Sequence, residues 1–147
     1  MKNDAETHTV YLALGSNMGD RQAYLQRAVN EIEKQVGHVV RQSAFHVTKP
    51  VGFDSENLFV NAALCCVTSL TPHELLSVTQ RIERQLGRRR KSKNGIYHDR
   101  VIDIDILLYD DITVNEPDLI IPHPRMYERS FVMIPLKEIL ENIPPQP

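Results

Sequence analysis

The order of elements legible in this chain is strand, helix, strand, strand, helix, strand, followed by a hairpin and a last helix. That order predicts an α+β fold, a ferredoxin-like sandwich with a mainly antiparallel sheet and helices packed on it. Two observations carry the prediction. β-Branched and apolar runs recur near 10–14, 39–48, 59–69 and 101–109, and two stretches between them repeat apolar residues at helical spacing. Length agrees, since 147 residues suffice for one domain with a substantial core. The expected domain spans 1–147, with 1–8 and 143–147 as mobile termini.

Taken in order, the first run, Val10-Tyr11-Leu12-Ala13-Leu14, is a buried strand stopped by Gly15-Ser16-Asn17-Met18-Gly19-Asp20. Asp20 is placed to cap a helix whose Leu25, Ala28, Val29, Ile32 and Val36 face the core, until Gly37 ends it. The glycine-containing turn lacks the Gly-Lys-Ser/Thr ending of a phosphate loop. A second strand over 39–48 runs into a long proline- and glycine-containing loop over 49–57. The third strand, 59–69, holds Asn61 among apolar neighbours, and a buried amide there needs partners from backbone or ligand.

Thr71-Pro72-His73-Glu74 combines an N-cap, a proline at the first helical position and a capping-box acid. The helix it starts turns Leu75, Val78, Ile82 and Leu86 inward and ends at Gly87, while Gln80 and Glu83 share another side. The strand 101–109 is expected to be buried on both faces near its far end and to sit centrally in the sheet. Short strands at 112–114 and 119–121 and a helix over 131–139 complete the elements.

Composition narrows the function classes. Formal net charge is −2, and hydrophobic and charged residues make up 41% and 24%, ordinary for a soluble globular protein. A pI near 6.3 argues against a general nucleic-acid coat. With no apolar leader and no membrane-length run, the expected compartment is the cytoplasm. Cys65 and Cys66 are adjacent in a strand and point to opposite faces, which suits reduced core thiols rather than a disulfide.

The chemistry concentrates around Asp103-Ile104-Asp105. Alternation puts both carboxylates on one face, with α-carbons roughly 6–7 Å apart, where two charges repel by about 2–3 kcal/mol at an effective dielectric near 20. A hard dication such as Mg²⁺ compensates such a pair; two surface acids on a half-exposed strand are the plain alternative. Immediately before them, 84–100 carries seven Lys and Arg residues against one acid. Arginine beside metal-binding acids suits a polyphosphate, although a solvated basic loop or a nucleic-acid patch has the same composition. Pro122-His123-Pro124 and Arg129 add an imidazole and a guanidinium further on.

Taken together, Ala13-Leu14-Gly15-Ser16-Asn17, Asn61-Ala62-Ala63, Gln80-Arg81-Ile82-Glu83 with Gly87-Arg88, Asp103-Ile104-Asp105-Ile106 and Pro122-His123 resemble the 6-hydroxymethyl-7,8-dihydropterin pyrophosphokinase family, from Tyr11 to about Ile139. The resemblance implies transfer of pyrophosphate from ATP to the pterin hydroxymethyl group, with AMP released and two magnesium ions used. It implies that Asp103 and Asp105 hold the ions, that Arg88 and Arg100 engage the triphosphate with Arg90 as a further contact, and that Gln80, Glu83, His123 and Arg129 belong to the nucleotide site. By the same resemblance Ile106 belongs to the adenine pocket. Thr48, Val51, Asn61 and Phe131 belong to the pterin site, and Phe59 stands where a tyrosine is often found.

Two other classes remain compatible with the residues themselves. One is a non-catalytic ferredoxin-like module binding RNA or a small regulator, although acids on the sheet face would repel phosphate without a metal. The other is a magnesium-dependent phosphohydrolase. No membrane or nucleic-acid partner is expected, and a monomer is the default.

Overall fold

The computed structural model describes residues 6–17, 19–48, 58–87 and 101–140. Its main sheet contains β1 (His8–Ser16), β2 (Gly37–Gln42), β3 (His46–Thr48), β4 (Phe59–Thr68) and β5 (Asp103–Tyr109), in the order β2-β4-β1-β5, with β3 continuing the β2 side of β4. Every pairing is antiparallel. With α1 (Arg21–Gln35) after β1 and α2 (Pro72–Gln85) after β4, this is the ferredoxin-like arrangement expected from the element order. A two-stranded hairpin, β6 (Val114–Glu116) with β7 (Leu119–Ile121), leads through a 3-10 turn at Met126–Glu128 into α3 (Ser130–Ile139).

Both helix starts form as their sequences require. Asp20 accepts the Ala23 N–H at 3.2 Å. Thr71 and Glu74 exchange reciprocal bonds, Glu74 N–H to Thr71 Oγ1 at 3.2 Å and Thr71 N–H to Glu74 Oε1 at 2.8 Å, so two otherwise orphaned donors are satisfied. Gly37 starts β2 because nothing larger fits there: a Cβ would lie 1.9 Å from the Val67 carbonyl oxygen.

Alternation along the strands divides the interior in two. Val10, Leu12 and Leu14 of β1, Ala62, Leu64 and Cys66 of β4 and Ile104 and Ile106 of β5 meet α1 and α2 on one face. On the other, Ala13, Ala63, Cys65 and Leu107 meet Met126 and the buried side of α3, Val132, Leu136 and Ile139. Each fully buried aliphatic chain contributes about 1.5–3 kcal/mol, so the two layers clamp the sheet between them.

Three expectations need correction. The strand expected over 39–48 is broken: after a register shift between Val39 and Arg41, Ser43 bonds to Ala63 in place of a regular ladder, its Oγ accepting the Ala63 N–H at 2.9 Å. The return strand expected at 112–114 begins only at Val114, because the Ile112 N–H turns back to the Tyr109 carbonyl. The strand expected to be central, β5, pairs among the described residues with β1 alone and is an edge. Its apolar pattern reflects two covered faces rather than two flanking strands. The outer edge is met by side chains and loop instead, the Ile104 N–H by Glu83 and the Leu107 carbonyl by the His123 N–H.

At the N-terminus, β1 begins inside the stretch expected as a loose terminus, with His8 Nδ1 2.7 Å from Asp110 Oδ2.

Candidate active site

Strand register assembles the site. Gly15 of β1 is paired with Asn61 of β4 on one side and Asp103 of β5 on the other. One step along, Ala13 is paired with Ala63 and Asp105. Two parallel rows result: the first is polar at both ends and bare in the middle, and the second carries only alanines until Asp105 at its β5 end. Strand spacing near 4.8 Å sets the backbones of Asn61 and Asp103 about 10 Å apart. The trough between them depends on small residues: a Cβ on Gly15 would come 3.0 Å from Asn61 Oδ1 and 3.9 Å from Phe59 Cδ1.

At the β4 end, Asn61 is buried and oriented. Its Nδ2 donates to Thr48 Oγ1 at 2.7 Å, a diagonal contact across the β3–β4 pair, and His46 and Phe59 stand on the same face. The Thr48 hydroxyl thus holds the asparagine in place. Phe131, in the first turn of α3, is half-buried over this face, and the Arg129 guanidinium lies 5.8 Å from its ring centroid.

At the β5 end, Asp103 and Asp105 are half-exposed on the same face, as alternation requires. Their paired carboxylates form a hard-oxygen donor set that fits magnesium.

A second group lines the outer edge of β5. Glu83, buried on α2, accepts the Ile104 N–H at 2.7 Å. Because the Ile104 N–H points away from β1, period two directs the Ile106 N–H to that edge as well, while the Ile106 side chain is buried beneath the helices. Gln80 is exposed one turn before Glu83. Beyond the hairpin, the His123 N–H bonds to the Leu107 carbonyl at 3.0 Å, which fixes the imidazole beside β5.

Burial first, then the positive charge of Arg129, holds the His123 imidazole below its ordinary value, against an opposing pull from Asp103. Its Nδ1 accepts the Arg125 N–H at 3.3 Å, so the neutral ring carries its proton on Nε2.

The structure therefore gathers Thr48, Phe59, Asn61 and Phe131 at the β4 end, the paired aspartates at the β5 end, and Glu83, the Ile106 backbone and His123 along the outer β5 edge, with Arg129 near both Phe131 and His123 and Gln80 exposed on α2 one turn from Glu83. Val51, Arg88, Arg90 and Arg100 lie outside the described residues. Gly87, which closes α2, comes close to Val101: a Cβ on it would meet Val101 Cγ1 at 3.8 Å. The flanks of the arginine-rich stretch thus meet at the foot of β5. What the residue types alone did not assign is the role of Gly15, Ala13 and Ala63. Small residues on one strand parity, beside polar ones on the same parity, are the signal of such a floor.

The family model described as 7,8-dihydro-6-hydroxymethylpterin-pyrophosphokinase (HPPK) matches residues 11–141. The chain belongs to this family. Among its relatives, the 2-amino-4-hydroxy-6-hydroxymethyldihydropteridine pyrophosphokinase of Porphyromonas gingivalis is 45% identical over 138 residues, covering 93% of this chain and 94% of that protein. The Bacillus subtilis pyrophosphokinase of the same name is 45% identical over 134 residues, covering 90% and 78%. A Plasmodium falciparum HPPK-DHPS crystal structure is similar in fold, with a TM-score of 0.75 at 17% identity. It covers 93% of this pyrophosphokinase-family chain, which spans only 42% of the longer Plasmodium chain.

Proposed function

We propose that this chain transfers the pyrophosphoryl group of ATP to the hydroxymethyl oxygen of 6-hydroxymethyl-7,8-dihydropterin, in folate biosynthesis. The hydroxyl gives up its proton, released to solvent in the net reaction, as the bond from its oxygen to the β-phosphorus forms; the bond from the β-phosphorus to the oxygen bridging to the α-phosphate breaks, and AMP leaves. The observation that carries the reading is the row Asn61, Gly15, Asp103, which sets a buried amide and a carboxylate at the two ends of a bare floor.

On this reading the pterin lies in the trough. Asn61, oriented by Thr48, offers both a donor and an acceptor to the ring edge, and Phe131 covers the ring from above with Phe59 beside it. Val51 adds a pterin contact. ATP lies along the outer edge of β5, its adenine against the Ile106 backbone and its phosphates near Gln80, Glu83, His123 and Arg129, with Arg90 assisting. A neutral His123 offers an Nε2–H to a phosphate oxygen without adding charge. Asp103 and Asp105 would hold two magnesium ions. When bound, those ions supply charge neutralisation at the transferring group. Arg88 and Arg100 add guanidinium contacts to the triphosphate during transfer. Holding both substrates on one rigid sheet lowers the entropic part of the barrier.

The test is AMP formation from ATP and magnesium with and without the pterin. Pterin-dependent AMP that disappears in Asp103→Ala and Asp105→Ala supports the reading. ADP formed regardless of pterin would replace it with phosphohydrolase activity, and no nucleotide turnover at all would leave a binding module.

A further inference from the structure

A second cluster of ligating groups lies away from this site. His73 is the second residue of α2, Glu116 ends β6, and Asp118 stands just before β7. His73 Nε2 is 3.1 Å from Glu116 Oε1 and 3.4 Å from Asp118 Oδ1, and one ligand atom from each residue lies within 4.8 Å of the others. All three residues are exposed. We propose that they form a surface site for a transition-metal dication of the Zn²⁺ or Ni²⁺ type, with His73 Nε2 and one oxygen from each acid as protein ligands and water completing the shell.

Spacing is the first argument. Bonds of about 2.0–2.2 Å at angles between octahedral and tetrahedral put neighbouring ligand atoms about 2.8–3.6 Å apart. Both histidine-to-carboxylate distances fall within that interval.

Charge is the second. Protonated His73 would bring one positive charge and a single Nε2–H to two carboxylates, whereas a dication balances both. The imidazole nitrogen also sets the preference, because magnesium and calcium favour all-oxygen shells while zinc and nickel accept nitrogen.

Anchoring is the third. The α2 side is held by the capping box one residue from His73 and by buried Leu75, and the hairpin by buried Leu119 and Ile121. Binding therefore orders three side chains and no backbone element. An ion here would tie the start of α2 to the hairpin, whose last strand leads through Pro122 into His123.

Zinc titration by calorimetry on the full chain decides this, with Asp103 and Asp105 both changed to Asn so that the paired acids do not compete. The expected result is one saturable equivalent and a rise in thermal midpoint. Affinity should weaken about tenfold or more in His73→Ala, and comparably in Glu116→Gln with Asp118→Asn. Addition of Ni²⁺ should broaden the His73 ring resonances first in the NMR spectrum. Zinc affinity unchanged in a folded His73→Ala protein overturns the proposal, as does the absence of saturable binding in the parent. Since the three side chains are exposed, circular dichroism should show all variants folded.

Discussion

Asn61 of β4 and Asp103 of β5 flank a residue without a side chain: both are paired with Gly15, so an amide and a carboxylate share one row across three strands. Strand pairing alone thus fixes their separation, and no loop is needed to bring them together. The row predicts that Gly15 governs pterin binding. In Gly15→Ala, the new methyl meets Asn61 Oδ1 at 3.0 Å and forces the amide aside. The KM for the pterin should rise about tenfold, equivalent to ~1.4 kcal/mol, with the KM for ATP little changed. Steady-state kinetics on a variant of unaltered circular dichroism checks this; an unchanged pterin KM would remove Gly15 from the floor.

Asp105→Ala should lower kcat by about a thousandfold, equivalent to ~4 kcal/mol of transition-state stabilisation. The variant should stay folded, since Asp105 is half-exposed and outside both buried layers. A melting curve beside the rate measurement separates this outcome from simple unfolding.

Glu83 is buried, and its carboxylate accepts the Ile104 N–H between the two aspartates. Glu83→Ala leaves that edge donor without this acceptor and should cost about 2 kcal/mol of stability. Turnover should fall at the same time, since the backbone bearing Asp103 and Asp105 loosens. Urea unfolding and kcat measured on one preparation should move together; a loss of turnover without a loss of stability would assign Glu83 to the substrate alone.

Burial and Arg129 depress His123, so the unfolded chain takes up its proton first as pH falls. Its contribution to stability is complete above the ordinary value of 6.5 and is lost as pH drops from there through the folded value. An NMR titration without magnesium should give a His123 midpoint below 6.5, and Arg129→Gln should raise it. A midpoint that ignores Arg129 would mean that burial acts alone.

Glu138 ties the far end of α3 to the β2–β3 bend, accepting the Ala44 N–H at 2.9 Å and pairing with His46. The Ala44 N–H, then His46, outweigh burial and hold its carboxyl below its ordinary value of 4.5. The stabilising contribution is present above that value and is lost as pH falls through the folded one. Denaturant midpoints should therefore fall less steeply on acidification below pH 4.5 in Glu138→Gln than in the unaltered protein.

Much of this architecture is legible in residue order because local signals and global packing agree. Asp20, Thr71 and Glu74 announce their helices, and alternation in β5 puts both aspartates on one face. The edge position of β5 is not legible, since periodicity reports which faces are covered but not which strands lie alongside. The break at Ser43 is hidden for a related reason: a hydroxyl standing in for a ladder bond has no compositional mark. At the site, acids and basic residues advertise themselves, whereas Gly15, Ala13 and Ala63 matter for what they lack. Their role emerges only from the register with β4 and β5.

The neighbouring thiols of Cys65 and Cys66 belong to different interiors, one beneath α3 and the other beneath α1 and α2. Burial, with help from Cys65 and Glu33, pushes the Cys66 thiol up to about 12 and keeps it unreactive while its layer is closed. Two consecutive residues therefore act as separate alarms. A thiol reagent that marks Cys65 alone reports that α3 has lifted from the sheet, and one that marks Cys66 reports that the helical pair has come away. Native-state labelling read by peptide mass would then show which layer opens first, and whether the face beneath α3 can loosen while the other stays shut.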